Sequence, residues 1–357
     1  MKILIDLGHP AHIHYFKNFV QLMVSKGHQF RFVARDKEVL HKLLEEYGLS
    51  FVNRGKGGKT LLSKAIYIFK ADYIIYKIAR KFKPDLFLSF SSTYAAHVSR
   101  LMGKTHIVLD DTEHAKFELM MYPPFSDVIL NPTCFYKTFS RKQLYFSSYM
   151  ELFYLYPKYF KPDIDIVKSY DINLGKPYFI VRFVSWNASH DIGQKGLSYQ
   201  TKIDIVGKLK KHGTVLISSE GKLPEKLSEY QIKINPAHLH HFLAFASLYI
   251  GEGSTTASEC AVLGTPNIYV NSLFVGYCKE QDEKYGLCHQ ITDVQKINLK
   301  IDSFIENDFS RSEYELRRSK MLSEKIDGTA FLVWFVENYP KSEKIMRENP
   351  DYQYNFK

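Results

Sequence analysis

The first third of the chain alternates short apolar strands with amphipathic helices, and this alternation restricts the fold more than any other feature. Lys2 to Leu7 is a short apolar strand that ends in the turn Gly8-His9-Pro10. Phe16, Phe19, Val20 and Met23 then recur at helical spacing from about Ala11 to Ser25. Gly27 stops that helix before a second strand, Gln29 to Ala34. The rhythm continues through a helix from Lys37 to Tyr47, a strand from Ser50 to Asn53, a glycine- and lysine-rich loop, and a long helix ending at Phe82. Strands at Asp85 to Phe90, His106 to Asp110 and Asp127 to Asn131 complete the series. Strands separated by helices in this way form a parallel sheet covered on both faces.

A second series starts at Tyr178 to Phe183 and passes through Thr214 to Ser218, Gln231 to Ile234, Leu248 to Gly251 and Asn267 to Val270. Between the two lies an aromatic stretch, Tyr145 to Phe160, which reads as their connection. With 357 residues there is chain enough for two cores. The expectation is an α/β protein of two doubly wound, Rossmann-like domains facing a central cleft, with ligands at the carboxyl ends of the strands. Residues 1–160 form the first domain, including the aromatic connection from about residue 138. Residues 161–340 form the second, and 341–357 a polar tail.

The formal charge of +10 admits nucleic acid, an anionic membrane or a phosphorylated small molecule as partner. The basic residues are dispersed and no nucleic-acid motif accompanies them, so no nucleic-acid partner is expected. Cys134, Cys260, Cys278 and Cys288 lack metal-ligand spacing, and no run of about 18 apolar residues exists. No cofactor or metal is expected, and the cytoplasm is the expected compartment.

The most specific segment is Gly251-Glu252-Gly253-Ser254-Thr255-Thr256, followed by Glu259 and closed by Leu263-Gly264-Thr265-Pro266. A strand meets a Gly-x-Gly turn, a helix begins at Ser254 or Thr255 with Ser and Thr as its caps, and Gly264 ends it. Backbone N–H groups of the first turn, at the positive end of the helix dipole, suit a phosphate. Glu259 lies one turn in, placed to accept hydrogen bonds from a ribose diol.

This segment resembles the nucleotide-binding helix of GT-B enzymes, among them the non-hydrolysing UDP-N-acetylglucosamine 2-epimerases and the UDP-N-acetylglucosamine transferase of lipid II synthesis. The resemblance implies that Gly253, Ser254, Thr255 and Thr256 face a diphosphate and that Glu259 holds the ribose. Nearly the whole chain also resembles the domain-of-unknown-function 354 family, a GT-B-like group. The resembling stretches are Asp6 to His12, Asp111 to Ala115, Glu151 to Pro157 and Arg182 to Asp191.

Further candidates lie where strands end. His9 follows the first strand and titrates near neutrality, which suits a general base, although capping or packing would place a histidine there equally well. Asp110, Asp111 and Glu113 follow another strand; neighbouring carboxylates raise one another's pKa, or else they cap a helix. In the second domain Arg182, Ser185 and Ser218 are candidates for the nucleotide side, Arg182 as a forked clamp on diphosphate or as a structural ion pair. By resemblance to the 2-epimerases, Glu113 and His190 stand near catalytic positions. Those enzymes carry an Asp after the preceding strand, where this chain has Ser91, Ser92 and Thr93. Asp163-Ile164-Asp165 reads as a chance match to a metal motif, and His238, His240 and His241 as capping or surface residues. The stretch Ile66 to Lys83 reads either as a core helix with a solvated basic face or as a helix lying on an anionic membrane at its inner face.

The expectation drawn from these residues is a GT-B-type glycosyltransferase using a UDP-sugar and an acceptor that is a glycan or a lipid-linked sugar, in surface polysaccharide or glycolipid synthesis. A nucleotide-sugar epimerase and a catalytically silent sugar-nucleotide-binding protein are the alternatives.

Overall fold

The computed structural model describes residues 1–58, 60–183, 197–219, 223 and 225–357. It divides into two compact units, Met1–Tyr154 with Lys325–Lys357, and Leu155–Glu324.

The first unit is built on a parallel sheet of β1 (Lys2–Leu7), β2 (Gln29–Ala34), β3 (Phe51–Asn53), β4 (Leu86–Phe90), β5 (Thr105–Leu109), β6 (Val128–Pro132) and β7 (Gln143–Phe146). Their order is β3-β2-β1-β4-β5-β6-β7. Helices α1 (Pro10–Ser25), α2 (Glu38–Glu46), α3 (Leu61–Phe82), α4 (Thr93–Leu101), α5 (Glu118–Met121) and α6 (Leu152–Leu155) follow in chain order. In β1, Ile3, Leu4, Ile5 and Leu7 are all buried, so both faces of the strand are covered, as a parallel sheet requires. Helix α1 buries Phe16, Phe19, Val20 and Met23, the stripe that its spacing predicted.

The second unit carries α7 (Ile164–Lys168), β8 (Tyr178–Phe183), α8 (Tyr199–Leu209), β9 (Thr214–Ser219), α9 (Leu239–Phe245), β10 (Leu248–Gly251), α10 (Ser254–Leu263), β11 (Asn267–Tyr269) and α11 (Gly276–Glu283). Strand β12 (His289–Gln290) and helices α12 (Val294–Glu306) and α13 (Arg311–Glu324) complete it. Its sheet is parallel in the order β12-β11-β10-β8-β9. The strand expected at Gln231 to Ile234 is reduced to a single bridge between Gln231 and Ile217.

The aromatic connection and the chain's end both pack into the first unit, the former as expected and the latter not. The aromatic connection is core of the first unit: Phe146, Tyr149, Phe153 and Tyr154 are buried there. The chain also returns to that unit at its end, through α14 (Gly328–Glu337) and α15 (Lys341–Glu348). Helix α14 packs on α1, burying Phe331, Leu332, Phe335 and Val336. Thr329 Oγ1 and Asn18 Nδ2 both donate to the Phe153 carbonyl, at 2.7 and 2.9 Å. A Cβ built on Gly328 would stand 2.3 Å from the Phe153 ring, so only glycine lets the two segments close. The segment expected as a polar tail is anchored as well, since the Ser147 amide donates to Gln353 Oε1 at 2.6 Å.

Candidate functional site

In the second unit the carboxyl ends of three neighbouring strands bring the nucleotide-side candidates together. Arg182 on β8 pairs in register with Ser218 on β9 and with Gly251 on β10. Its guanidinium Nη1 donates to Ser218 Oγ at 2.9 Å, which aims the fork at the end of the sheet. Gly251 is required by packing, because a Cβ there would meet the Tyr249 hydroxyl at 2.1 Å.

Helix α10 starts at Ser254, with Gly253 in extended conformation (φ −94°, ψ 123°) as its N-cap. This corrects the expectation that Ser or Thr caps it: the N-cap has no side chain, and no side-chain cap bond is made. The first-turn N–H groups of Ser254, Thr255 and Thr256 thus keep their anion-binding capacity. The Ser254 hydroxyl accepts from Tyr277 at 2.8 Å, which fixes the start of the helix. Gly264 closes α10 in the left-handed conformation (φ 75°), as its position predicted.

Glu259 is buried on α10, one oxygen 2.9 Å from His240 Nε2 on α9. His240 is itself buried, with the Phe160 ring edge-on at 6.0 Å. The expectation of a capping or surface histidine fails at His240, because spacing alone does not reveal which face of so short a helix meets α10. His238 and His241 do serve local structure: Tyr170 meets His238 Nδ1 at 2.9 Å, and His241 Nδ1 accepts from the Asp163 amide at 2.9 Å. Asp163 caps α7. Ser185 and His190 lie outside the described residues.

The first unit gathers the acid–base candidates at the carboxyl ends of its own strands. His9 is the N-cap of α1; its Nδ1 accepts from the Ala11 amide at 3.2 Å, and the ring is exposed. His12, one turn on, accepts from the Gly8 amide through Nδ1 at 3.2 Å and lies 4.8 Å from the Phe90 ring. Burial first, then the charges of His9, Lys37 and Arg54, lowers its pKa well below the usual imidazole range. The neutral ring therefore carries its proton on Nε2 as a donor. The sequence reading chose His9 for its place at the strand end; the structure shows His12 to be the less exposed of the two.

Beyond β5, Asp110, Asp111 and Glu113 are all buried. Asp110 accepts from the Thr112 amide at 2.8 Å and from Tyr122 Oη at 2.5 Å, and burial outweighs these bonds to raise its pKa to about 6. Asp111 is raised well above the carboxylate range, by burial and then by the charges of Glu151, Asp110 and Glu113. Glu151, between β7 and α6, is a member that sequence reading did not single out as a site residue, although it opens one of the stretches that carry the family resemblance. A separate buried pair, Asp6 and Arg54 at 2.7 Å, is completed by Ser92 Oγ donating to Asp6 at 2.5 Å.

Comparison with known proteins identifies the family and the fold. The family model described as "Protein of unknown function (DUF354)" matches residues 1–323. An uncharacterized protein of Methanocaldococcus jannaschii is 25% identical over 314 residues, 83% of this chain and 89% of that one. Among solved structures, the UDP-GlcNAc 2-epimerase of Neisseria meningitidis bound to UDP-GlcNAc is similar with a TM-score of 0.65 at 11% identity, covering 95% of this chain and 100% of that one. The glycosyltransferase SsfS6 of Streptomyces sp. SF2575 is similar with a TM-score of 0.58 at 11% identity, again covering 95% and 100%. The fold is therefore the GT-B-like α/β architecture of these enzymes.

Proposed function

The chain belongs to the DUF354 family, and from that footing we propose that it is a GT-B-type glycosyltransferase taking its sugar from a UDP-sugar. The observation that carries this reading is the convergence of Arg182, Ser218, the Ser254–Thr256 amides and the buried Glu259–His240 pair at one end of the second sheet. Phosphate is received by the first turn of α10 and by Arg182. The ribose hydroxyls donate to Glu259, whose carboxylate is held in place by His240. As the bond from the anomeric carbon to the diphosphate oxygen breaks, the negative charge that develops on UDP is stabilised by these same donors.

The acceptor hydroxyl, on a glycan or a lipid-linked sugar, loses its proton to a carboxylate of the first unit. Asp111 suits that role better than His9: burial and the neighbouring acids raise its affinity for a proton, whereas the His9 Nδ1 lone pair is committed to capping α1. Glu113 lies in the same cluster, and His12 offers an Nε2 donor. The absence of an Asp at Ser91 to Thr93 favours transfer over epimerisation.

Incubating the full chain with a panel of UDP-sugars and candidate acceptors, and measuring UDP release, tests the reading. Release that depends on acceptor supports transfer. Exchange of solvent deuterium into sugar C2 without transfer would identify an epimerase, and UDP binding with neither outcome a silent binding protein.

A further inference from the structure

Helix α3 leaves one long face in solvent, and that face is apolar. Leu62, Ile66, Phe69 and Tyr73 are 72%, 60%, 77% and 66% exposed. Their spacing of four, three and four residues aligns them in one stripe about 17 Å long, at ~1.5 Å per residue. Tyr67, Ala71, Ile75 and Ala79 are buried on the other side, so the helix already has its packing face. Scattered exposed hydrophobes are ordinary, but four large ones in a row mark a contact surface.

The charges beside the stripe identify the partner. Lys70, Lys77 and Arg80 are exposed along the same side, and Lys64 and Lys81 lie farther round. The acid of the helix, Asp72, is 2.9 Å from His97 on α4 and so belongs to the packed side. A second copy of the chain would set these like charges against each other, which costs affinity. An anionic lipid surface meets both features, since apolar side chains enter the headgroup region while lysine and arginine stems reach lipid phosphate.

We propose that α3 seats the protein on an anionic membrane, with Leu62, Ile66, Phe69 and Tyr73 inserted and Lys70, Lys77 and Arg80 on the phosphates. The seat is independent of which reaction the second unit performs. Flotation of the full chain with vesicles of equimolar phosphatidylglycerol and phosphatidylcholine, against pure phosphatidylcholine, tests it. The protein is expected to float with the anionic vesicles and to be released as salt rises. Ile66→Ser with Phe69→Ser is expected to weaken partitioning at least about tenfold, and Lys70→Glu with Lys77→Glu at least about thirtyfold. Both pairs should keep the wild-type melting temperature and UDP binding, because all four side chains are exposed. Failure to float at low salt would overturn the proposal, as would flotation that neither pair weakens. Conversion of a dimer to a monomer by the serine pair would also overturn it, by showing that the stripe binds its own copy.

Discussion

Glu259 and His240 meet at 2.9 Å inside the second unit, each buried and each supplied by a different helix. If the carboxylate receives ribose hydroxyls, Glu259→Ala should weaken UDP binding by roughly thirtyfold, the scale of a hydrogen bond to a charged group. His240→Ala should weaken it less, through loss of orientation alone. Calorimetry with UDP and 2′-deoxy-UDP separates this from a structural role: the wild type should discriminate between them and Glu259→Ala should not. Equal discrimination by both proteins would remove Glu259 from the ribose.

Arg182 and Ser218 should act on the phosphates. Arg182→Lys keeps the charge and loses the fork, so UDP affinity should fall while UMP affinity changes little. Arg182→Ala should in addition lower kcat by an amount on the order of 2–4 kcal/mol of transition-state stabilisation. Unchanged kcat in the alanine variant would show that the guanidinium does not touch the departing diphosphate.

The first unit should govern the pH dependence of turnover. With Asp111 as base, kcat/KM should rise with pH through a pKa well above the ordinary carboxylate range, the direction that burial and Glu151 impose. Asp111→Asn should lower kcat at least about a hundredfold, the lower range for a general base, with UDP affinity within a few-fold. Glu151→Gln should instead shift the rising limb to lower pH, because one neighbouring negative charge is removed. His9→Ala should preserve the limb; its disappearance in that variant would return the proton to the imidazole.

Stability should carry its own signature from Asp110. Its pKa rises from 3.8 to about 6 in the folded protein. The fold therefore favours the protonated acid, a contribution fully present below pH 3.8 and lost as pH rises through about 6. Chemical unfolding should show this as a decline on the order of 2–3 kcal/mol across that window. Asp110→Asn should flatten it. A slope that survives the substitution would assign the titration to another buried acid.

Much of the fold was legible because each strand is bounded by a turn residue and each helix shows its stripe: Gly27 after α1 and Gly264 after α10 stand where the pattern put them. The Gly253–Glu259 segment was legible for the same reason, being local. What was hidden depended on distant contacts. His240 acquires its meaning only from Glu259, nineteen residues on. Glu151 acquires its own from Asp111, across two strands. The aromatics Tyr149 to Tyr154 looked like a connection because nothing in their spacing announces that α14 covers them.

That late covering fixes an order of assembly during translation. The ribosome delivers the whole second unit before Gly328 emerges, so α1 and Phe153 must wait for their partner through the synthesis of nearly half the polypeptide. The uninterrupted unit is free to mature first, although it comes second along the message, and the split one closes last. A nascent chain stalled before residue 325 would thus carry a complete second unit and an incomplete first one.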